Sequence, residues 1–133
     1  PLSIRFLDTD KKINIVFEES NKDIDIKNNG NVPLINSGGW GFYHVFYDEE
    51  SFNKVLNNFE KLDDLEKYRL LEDRWMQFKK LGNEMVADEI EKFLKFLLYY
   101  KNEKDEDIWT YIGSIITTLS NIDSEKNGKV FIL

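Results

Sequence analysis

The chain has one histidine, His44, and no cysteine, and these two facts limit the chemistry that its side chains could perform. Without cysteine, disulfides, thiolate nucleophiles and cysteine-based metal sites are excluded. The zinc motif H-E-x-x-H needs two histidines, as do histidine-rich zinc sites generally. We therefore expect no catalytic, cofactor-binding or metal-ligating residue in this chain.

The single histidine could still serve in a Ser-His-Asp triad, where it would lie beside an exposed nucleophile. His44 instead falls between Tyr43 and Val45, in a run whose alternation predicts a strand. Two interpretations remain. Either His44 is a structural residue hydrogen-bonded within a sheet or an interface, or it makes a polar contact with a partner domain outside this chain.

Two charged runs, 60–67 and 102–107, contain many carboxylates. Paired carboxylates can act as general acid and base, or can bind calcium. The run 105–107 lacks the glycine and the spacing of a calcium loop, so solvated helix ends explain these carboxylates better. The pair Gly38-Gly39 is predicted to be a turn rather than a phosphate cradle, because no helix N-terminus follows it directly.

The composition is that of a globular protein with an acidic balance, with 133 residues, 41% of them hydrophobic, and a net charge of -7. The negative net charge argues against binding to nucleic acid or to an anionic membrane surface. Both are negatively charged and are bound mainly through Lys and Arg. No run of about 18 apolar residues predicts a transmembrane helix, and the N-terminus lacks the pattern of a signal peptide. With the absence of cysteine, this predicts a cytoplasmic protein, and both ends look cut from a longer one.

The first 47 residues have the pattern of short strands separated by turns. Strands are predicted at 3–7, 12–18, 23–27, 32–35 and 40–47. Pro33 confines its strand to a sheet edge, or itself to a strand end. The strand at 40–47 is apolar on both faces and is therefore expected to be covered on both. About five short strands suggest half of a sandwich rather than a whole one.

From Asp48 onward the apolar period becomes helical, and four amphipathic helices are predicted. Asp48 is expected to cap the first, and Asp63 or Asp64 the second, which ends at Leu81-Gly82. Their predicted buried faces comprise Phe52, Val55, Leu56 and Phe59, then Leu65, Tyr68, Leu71, Trp75 and Phe78.

The third helix is predicted from about residue 85 to 100, and the fourth follows a polar turn at 101–106. Their predicted buried faces comprise Ile90, Phe93, Leu94, Leu97 and Tyr100, then Ile108, Trp109, Ile112, Ile115, Ile116 and Leu119. Residues 121–129 are predicted to be a loop, and Val130 to begin a further element. The whole pattern predicts an α+β fold, in which part of a small antiparallel β-sandwich precedes a solenoid-like array of antiparallel helices.

Three stretches carry the pattern of a known family. Residues 36–48 read Asn-Ser-Gly-Gly-Trp-Gly-Phe-Tyr-His-Val-Phe-Tyr-Asp. The corresponding family pattern is an Asn, a few small residues, and then Gly-Phe-Tyr-Arg-Val-x-Tyr-Asp. Residues 70–73, Leu-Leu-Glu-Asp, with Trp75, are similar to Leu-Leu-x-Asp-x-Phe, and residues 102–109 to Asn-Glu-Thr-Asp-x-x-x-Trp. In this order and spacing the chain resembles the C-terminal part of zinc aminopeptidases of the aminopeptidase N family. Its richness in Lys, Asn and Ile is similar to that of archaeal tricorn-interacting aminopeptidases.

The resemblance implies a four-domain enzyme that removes N-terminal residues from peptides with metal-activated water. Zinc and H-E-x-x-H would lie in an upstream catalytic domain. By resemblance, residues 1–47 belong to a β-sandwich domain, and residues 48–133 begin a C-terminal helical domain that roofs the substrate cavity. The chain would then be inactive alone and bind no cofactor. Its partner would be the catalytic domain of the same polypeptide, with peptide substrates in the whole enzyme.

Three departures from the family pattern stand out. His44 occupies a position where Arg is usual, which puts any salt bridge of that Arg in doubt. The pair Glu66-Lys67 replaces Asp-Arg, and Trp75 replaces a smaller Phe.

Two other function classes compete with this interpretation. The chain could be a free-standing helical protein-interaction module with a β appendage. It could also be a carbohydrate-binding sandwich, although its aromatic residues are expected to alternate into cores rather than form an exposed platform. If the chain is a fragment, its unpaired sheet edge and the apolar run 130–133 are expected to make it self-associate.

Overall fold

The computed structural model describes residues 2–16, 18, 20, 23–26, 29–82 and 87–127, with the side chains of these residues up to 121. They form a three-stranded antiparallel sheet and four α-helices, which confirms the predicted α+β class. The chain divides into two compact units, residues 1–81 and 82–133.

The first unit begins with a small sheet in the strand order β2-β1-β3. The central strand β1 (Leu2–Phe6) pairs antiparallel with β2 (Lys12–Ile15) and with β3 (Pro33–Ile35). Ile4 and Phe6 are two residues apart, so both side chains point to the buried face of β1. Pro33 opens an edge strand, as predicted, because proline has no N–H to donate to a ladder.

The other strand predictions fail in part. Residues 23–26 form no strand, and residue 27 lies outside the described residues. The strand predicted at 12–18 stops at Ile15, after which Val16 is 67% exposed. The predicted strand at 40–47 is also wrong, because these residues pair with none of the three strands. Alternating side chains alone do not make a strand, which needs a neighbour for its backbone hydrogen bonds.

Helix α1 (Glu49–Leu56) begins after Asp48, as predicted. The Asp48 carboxylate accepts a hydrogen bond from the backbone N–H of Ser51 over 2.7 Å. This hydrogen bond lowers the pKa of the Asp48 carboxyl. Phe59, expected on the same helix, lies instead in a separate 3-10 turn, Phe59–Lys61.

Helix α2 (Asp64–Lys79) begins after Asp63, which forms a capping box with Glu66. Gly82 follows the helix with φ of 53°, the left-handed conformation that glycine adopts most readily. The sheet, α1 and α2 contribute the apolar core of the first unit, which comprises Ile4, Phe6, Leu7, Val32, Leu34, Tyr47, Phe52, Val55, Leu56, Phe59, Leu62, Leu70, Leu71, Trp75 and Phe78.

The second unit contains α3 (Ala87–Leu97), a 3-10 turn (Leu98–Tyr100) and α4 (Glu106–Asn127). The loop predicted at 121–129 is wrong as far as residue 127, because α4 continues to Asn127 and residues 121–127 contain neither Gly nor Pro. Residues 130–133, where a further element was predicted, lie outside the described residues.

The second unit has its own core, comprising Phe93, Phe96, Leu97, Tyr100, Ile108, Ile112, Ile115 and Leu119. The rings of Phe96 and Tyr100 meet edge to face, with centroids 5.6 Å apart. Burial raises the pKa of the Tyr100 phenol well above its usual value. Over the part of the chain that the structure describes, none of the helices is long and apolar enough to cross a membrane.

Candidate functional site

Residues 36–47 form a segment between β3 and α1, which we call the strap. Asn36, only 3% exposed, opens it with φ of 64°. The Asn36 side chain accepts a hydrogen bond from Gly41 N over 2.7 Å and donates one to Gly41 O over 3.2 Å. These two bonds close a turn around the 3-10 helix Ser37–Gly39. The turn therefore sets the direction in which the rest of the strap leaves the sheet.

The beginning of the strap lies directly against α2. Gly38 N donates a hydrogen bond to Glu66 Oε2 over 2.9 Å, and Arg69 Nε donates one to Gly39 O over 3.0 Å. Gly39 has φ of 74°, and a Cβ at this position would lie 2.7 Å from Leu65 Cγ. Only glycine therefore permits both the backbone conformation and the close approach to the helix.

The end of the strap is held by the next two turns of the same helix. His44 Nδ1 lies 2.9 Å from Asp73 Oδ1, and Gln77 Nε2 donates a hydrogen bond to Tyr47 O over 3.2 Å. The α2 residues whose side chains form these polar contacts with the strap are Glu66, Arg69, Asp73 and Gln77. Their positions recur every three or four residues, so they form one polar stripe along the helix.

Glu66 joins the strap to the sheet as well as to the helix cap. It is 3% exposed and accepts hydrogen bonds from Gly38 N, from Asp63 N over 3.0 Å, and from the guanidinium of Arg5 on β1. Arg5 also donates to Lys61 O over 3.3 Å. A buried carboxylate is tolerated only when its oxygens are satisfied, and here both oxygens have partners.

Asp73 is the buried member of the contact with His44. The Asp73 side chain is 6% exposed and that of His44 is 45% exposed. Burial raises the pKa of Asp73, and this effect outweighs the hydrogen bonds from His44 and from the backbone N–H of Val45, which lower it. His44, which was predicted to lie within a strand, is instead a contact between the strap and a helix.

The raised pKa of Asp73 predicts a specific pH dependence. A carboxyl whose pKa is raised by folding binds its proton more tightly in the folded state. Its contribution to stability is therefore present below about pH 4 and is lost as the pH rises through the folded pKa. We expect Asp73→Asn to gain stability relative to the natural chain between about pH 3 and pH 7.

Urea unfolding at several pH values measures this difference. Asp10→Asn is the matched control, because the Asp10 side chain is 86% exposed. A difference between Asp73→Asn and the natural chain that stays constant with pH, or that shrinks toward neutral pH, would contradict the assignment.

Two tyrosines of the strap differ in how their hydroxyl groups are satisfied. The buried Tyr47 accepts a hydrogen bond at its phenol oxygen from Ile35 N of β3 over 3.0 Å, and burial raises its pKa. The Tyr43 hydroxyl is buried without a hydrogen-bond partner among the described residues. Tyr47 thus links the end of the strap to the sheet, whereas the hydroxyl of Tyr43 carries a desolvation cost.

This difference predicts opposite results for the same change. Tyr47→Phe leaves Ile35 N without its acceptor and is expected to cost about 1–3 kcal/mol of unfolding free energy. Tyr43→Phe removes an unsatisfied hydroxyl and is expected to leave stability unchanged or to raise it by up to about 1 kcal/mol. Chemical denaturation of the two variants side by side checks both. Equal losses for the two would show that Tyr43 has a partner of its own.

Three residues near the centre of the strap could in principle hold a metal ion. His44, Glu72 and Asp73 each offer one ligand atom, and these atoms lie within 4.8 Å of one another. All three already have partners, however, because Glu72 accepts from Arg69 Nη1 over 3.0 Å while His44 and Asp73 contact each other. A cation would also meet the positive charge of Arg69. The arrangement is therefore that of a satisfied ion-pair network.

The outer side of the strap is exposed. Trp40 is 79% exposed, Phe42 is 99% exposed and Phe46 is 42% exposed, whereas Tyr47 is buried. The prediction that both faces of 40–47 are covered is therefore wrong for one face. The expectation that the aromatic residues alternate into cores fails at the same three positions.

The third motif region, residues 102–109, comprises the turn before α4 and the first residues of that helix. Asp105 Oδ1 accepts hydrogen bonds from the backbone N–H groups of Asp107 over 2.9 Å and Ile108 over 3.1 Å. The Trp109 indole N–H donates to the carbonyl oxygen of Glu103 and the side chain is 45% exposed, rather than buried as predicted. This region therefore closes the turn before a helix.

The polar stripe of α2 was not identified from the sequence. Asp73 was singled out only as part of the motif at 70–73, and Arg69 and Gln77 were not singled out. The available signal was a set of polar residues at helical spacing beside the predicted apolar stripe of the same helix. Such a set of polar residues usually faces solvent. The sequence does not show whether another segment of the chain packs along it instead.

Comparison with known proteins finds similarity to curated relatives, among them two called tricorn protease-interacting factor F2. The relative from Thermoplasma volcanium is 33% identical over 85 residues, which are 64% of this chain and 10% of the relative. The relative from Thermoplasma acidophilum is 31% identical over 93 residues, which are 70% of this chain and 11% of the relative. The chain therefore spans about a tenth of the length of these relatives. No family model matches it, and no solved structure matches it significantly.

Proposed function

We propose that this chain is a non-catalytic, C-terminal part of a zinc-dependent aminopeptidase that removes N-terminal residues from peptides. The observation that carries the proposal is the similarity to two factors named for interaction with the tricorn protease, over about a tenth of their length. A chain that matches so small a part of its relatives is expected to contribute structure to a larger enzyme.

The contacts of the strap support this proposal. The motif at 36–48 and the motif at 70–73, singled out by resemblance, meet through His44 and Asp73. An Arg is usual at position 44 of the family pattern, and here a histidine fills the position beside a carboxylate. In this chain the residue at that position contacts Asp73, which lies in the other motif.

The residues of the strap region do not fit a catalytic zinc site. Such a site uses three protein ligands and leaves one position open for water. The only cluster with suitable atoms among the described residues has one histidine, and Arg69 already pairs with its Glu72. We therefore assign zinc to a catalytic domain outside this chain, and to this chain the task of supporting the wall of the substrate cavity.

Rigid support is a role that the strap and α2 are suited to perform. The sheet, the strap and α2 are connected through buried Glu66, and the strap ends at the capped N-terminus of α1. These bonds fix the direction of the helices relative to the sheet within the first unit. Peptide substrates and the catalytic domain of the same polypeptide are then the proposed partners, in the cytoplasm. The names of the relatives support association of the whole enzyme with a tricorn-type protease as a further proposed contact.

Assays of this chain and of the natural longer polypeptide test the proposal. We expect the chain alone to retain no stoichiometric zinc after dialysis and to cleave no aminoacyl fluorogenic substrate. The longer polypeptide should cleave it, and a zinc chelator should abolish the activity. Turnover by the chain alone that His44→Ala abolishes would contradict the proposal, as would a longer polypeptide without chelator-sensitive activity. The latter result favours the free-standing interaction module.

A further inference from the structure

Three aromatic side chains protrude from the outer side of the strap. We call Trp40, Phe42 and Phe46 the aromatic ridge; they are 79%, 99% and 42% exposed. Leaving a large apolar side chain in water instead of burying it forgoes about 1.5–3 kcal/mol. Large exposed apolar side chains that lie close together in sequence and point to the same side of a segment often mark an interaction surface.

The ridge cannot simply fold down onto the protein. Glu66 and Arg69 hold the strap before the ridge begins, and Gln77 holds it at Tyr47, just after the ridge ends. His44, between Phe42 and Phe46, is held by Asp73. The anchored residues thus flank and interrupt the exposed ones. The aromatic residues are therefore presented outward by a fixed backbone, which lowers the entropy cost of binding them.

We propose that the aromatic ridge is the surface on which another domain of the same, longer polypeptide packs. This inference rests on the proposed function, which makes the chain a part of that polypeptide. The chain spans about a tenth of the length of the relatives that it matches, so most of such a polypeptide lies outside it.

The size of the ridge favours an intramolecular partner. Each Trp or Phe side chain can bury 150–250 Å², so at these exposed fractions the ridge offers roughly 300–550 Å². A stable dimer of standard size needs about 800 Å² from each partner. A domain of the same chain is held at an effective concentration of about millimolar, and so can dock on a smaller patch. A second copy held by the ridge alone would bind weakly.

The edge of the ridge indicates the chemistry of the partner surface. Lys80 Nζ lies 4.7 Å from the centroid of the Phe46 ring. A partner surface that covers Phe46 would also approach this ammonium group, and burying an unpaired charge is costly. The partner is therefore expected to be apolar opposite Trp40 and Phe42, with a carboxylate near Lys80.

The test compares the same substitutions in two proteins, the 133-residue chain and the natural longer polypeptide. Trp40→Ser and Phe42→Ser change exposed residues in the chain alone, so each should shift its Tm by less than about 2 °C. In the longer polypeptide each should lower the Tm of the domain by several degrees. Val16→Ser is the matched control, because Val16 is 67% exposed and off the strap, and it should have no effect in the chain alone. Acrylamide should quench the fluorescence of Trp40 in the chain alone but not in the longer polypeptide. The Trp40→Phe variant identifies which part of the fluorescence comes from Trp40.

Several results would overturn the inference. One is that both Ser variants leave the longer polypeptide unchanged while Trp40 stays open to quencher. A second is a concentration-dependent dimer of the chain that Phe42→Ser abolishes, because the occupant would then be a second copy. A third is protection of Trp40 by an oligosaccharide. Aminopeptidase activity of the longer polypeptide is measured separately, so an active enzyme with an uncovered ridge refutes this inference and leaves the proposed function standing.

Discussion

Glu66→Ala is expected to lower the unfolding free energy by about 3–5 kcal/mol, because removing one partner of a buried ion pair leaves the other uncompensated. Glu66 is 3% exposed and pairs with Arg5, whose side chain is only 15% exposed. The substitution also leaves the backbone N–H groups of Gly38 and Asp63 without an acceptor. A domain is stable by only about 5–15 kcal/mol, so this loss is a large share of the total and should clearly lower the urea concentration at the midpoint of unfolding.

Two controls accompany this prediction in the same urea titration. Glu60→Ala removes an exposed glutamate before the same helix and should change stability by less than about 0.5 kcal/mol. Glu66→Gln keeps one acceptor oxygen but loses the charge opposite Arg5, so an intermediate loss is expected. If Glu66→Ala cost no more than Glu60→Ala, the connection of strap, sheet and helix through Glu66 would be wrong.

Phe6→Ala is expected to cost about 3–5 kcal/mol, as a large-to-small change in a packed core. Phe6 lies on the central strand and its exposed fraction is 0%. Phe42→Ala makes the same chemical change at a residue that is 99% exposed, and should cost less than about 0.5 kcal/mol in this chain. Equal losses in chemical denaturation would mean that Phe42 is buried in solution, which would contradict the exposed ridge.

The helices and their caps could be predicted from the sequence, because their signals are local. An apolar period of 3.6 residues and an acidic residue just before it are sufficient to place α1 after Asp48, and α2 after Asp63 or Asp64. The structure has Asp48 and Asp63 as the two caps. The end of α4 was misjudged because polar residues 120–127 weaken a helix by only a few tenths of a kcal/mol each. A polar composition alone therefore does not show where a helix ends.

The strap could not be predicted, because its structure depends on contacts distant in sequence. Its alternation of exposed and inward side chains is the pattern of a strand, and the structure does have alternating burial there. What decides between a strand and a segment lying on a helix is the hydrogen-bond partner of the backbone. Gly38, Gly39 and Tyr47 bond to side chains of α2 rather than to another strand.

The contact between His44 and Asp73 joins residues that are 29 positions apart. Neither residue alone indicates the other, because a lone histidine and a helical aspartate are both ordinary surface residues. The resemblance drew attention to both motifs, and the fold shows that they touch. The exposure of the aromatic ridge was missed for a related reason. Alternation shows that a segment has two faces, but it does not show whether both of them are covered.

The central proposal is that this chain is a non-catalytic part of a zinc aminopeptidase. The most direct test of it is the mass of the natural polypeptide. An antibody against this chain would recover that polypeptide from its source, and mass spectrometry would measure its mass and peptides. The proposal predicts a polypeptide several times heavier than the 15.8 kDa of this chain, with an H-E-x-x-H peptide upstream of it. A native polypeptide of about 15.8 kDa, or a longer one without that motif, would contradict it.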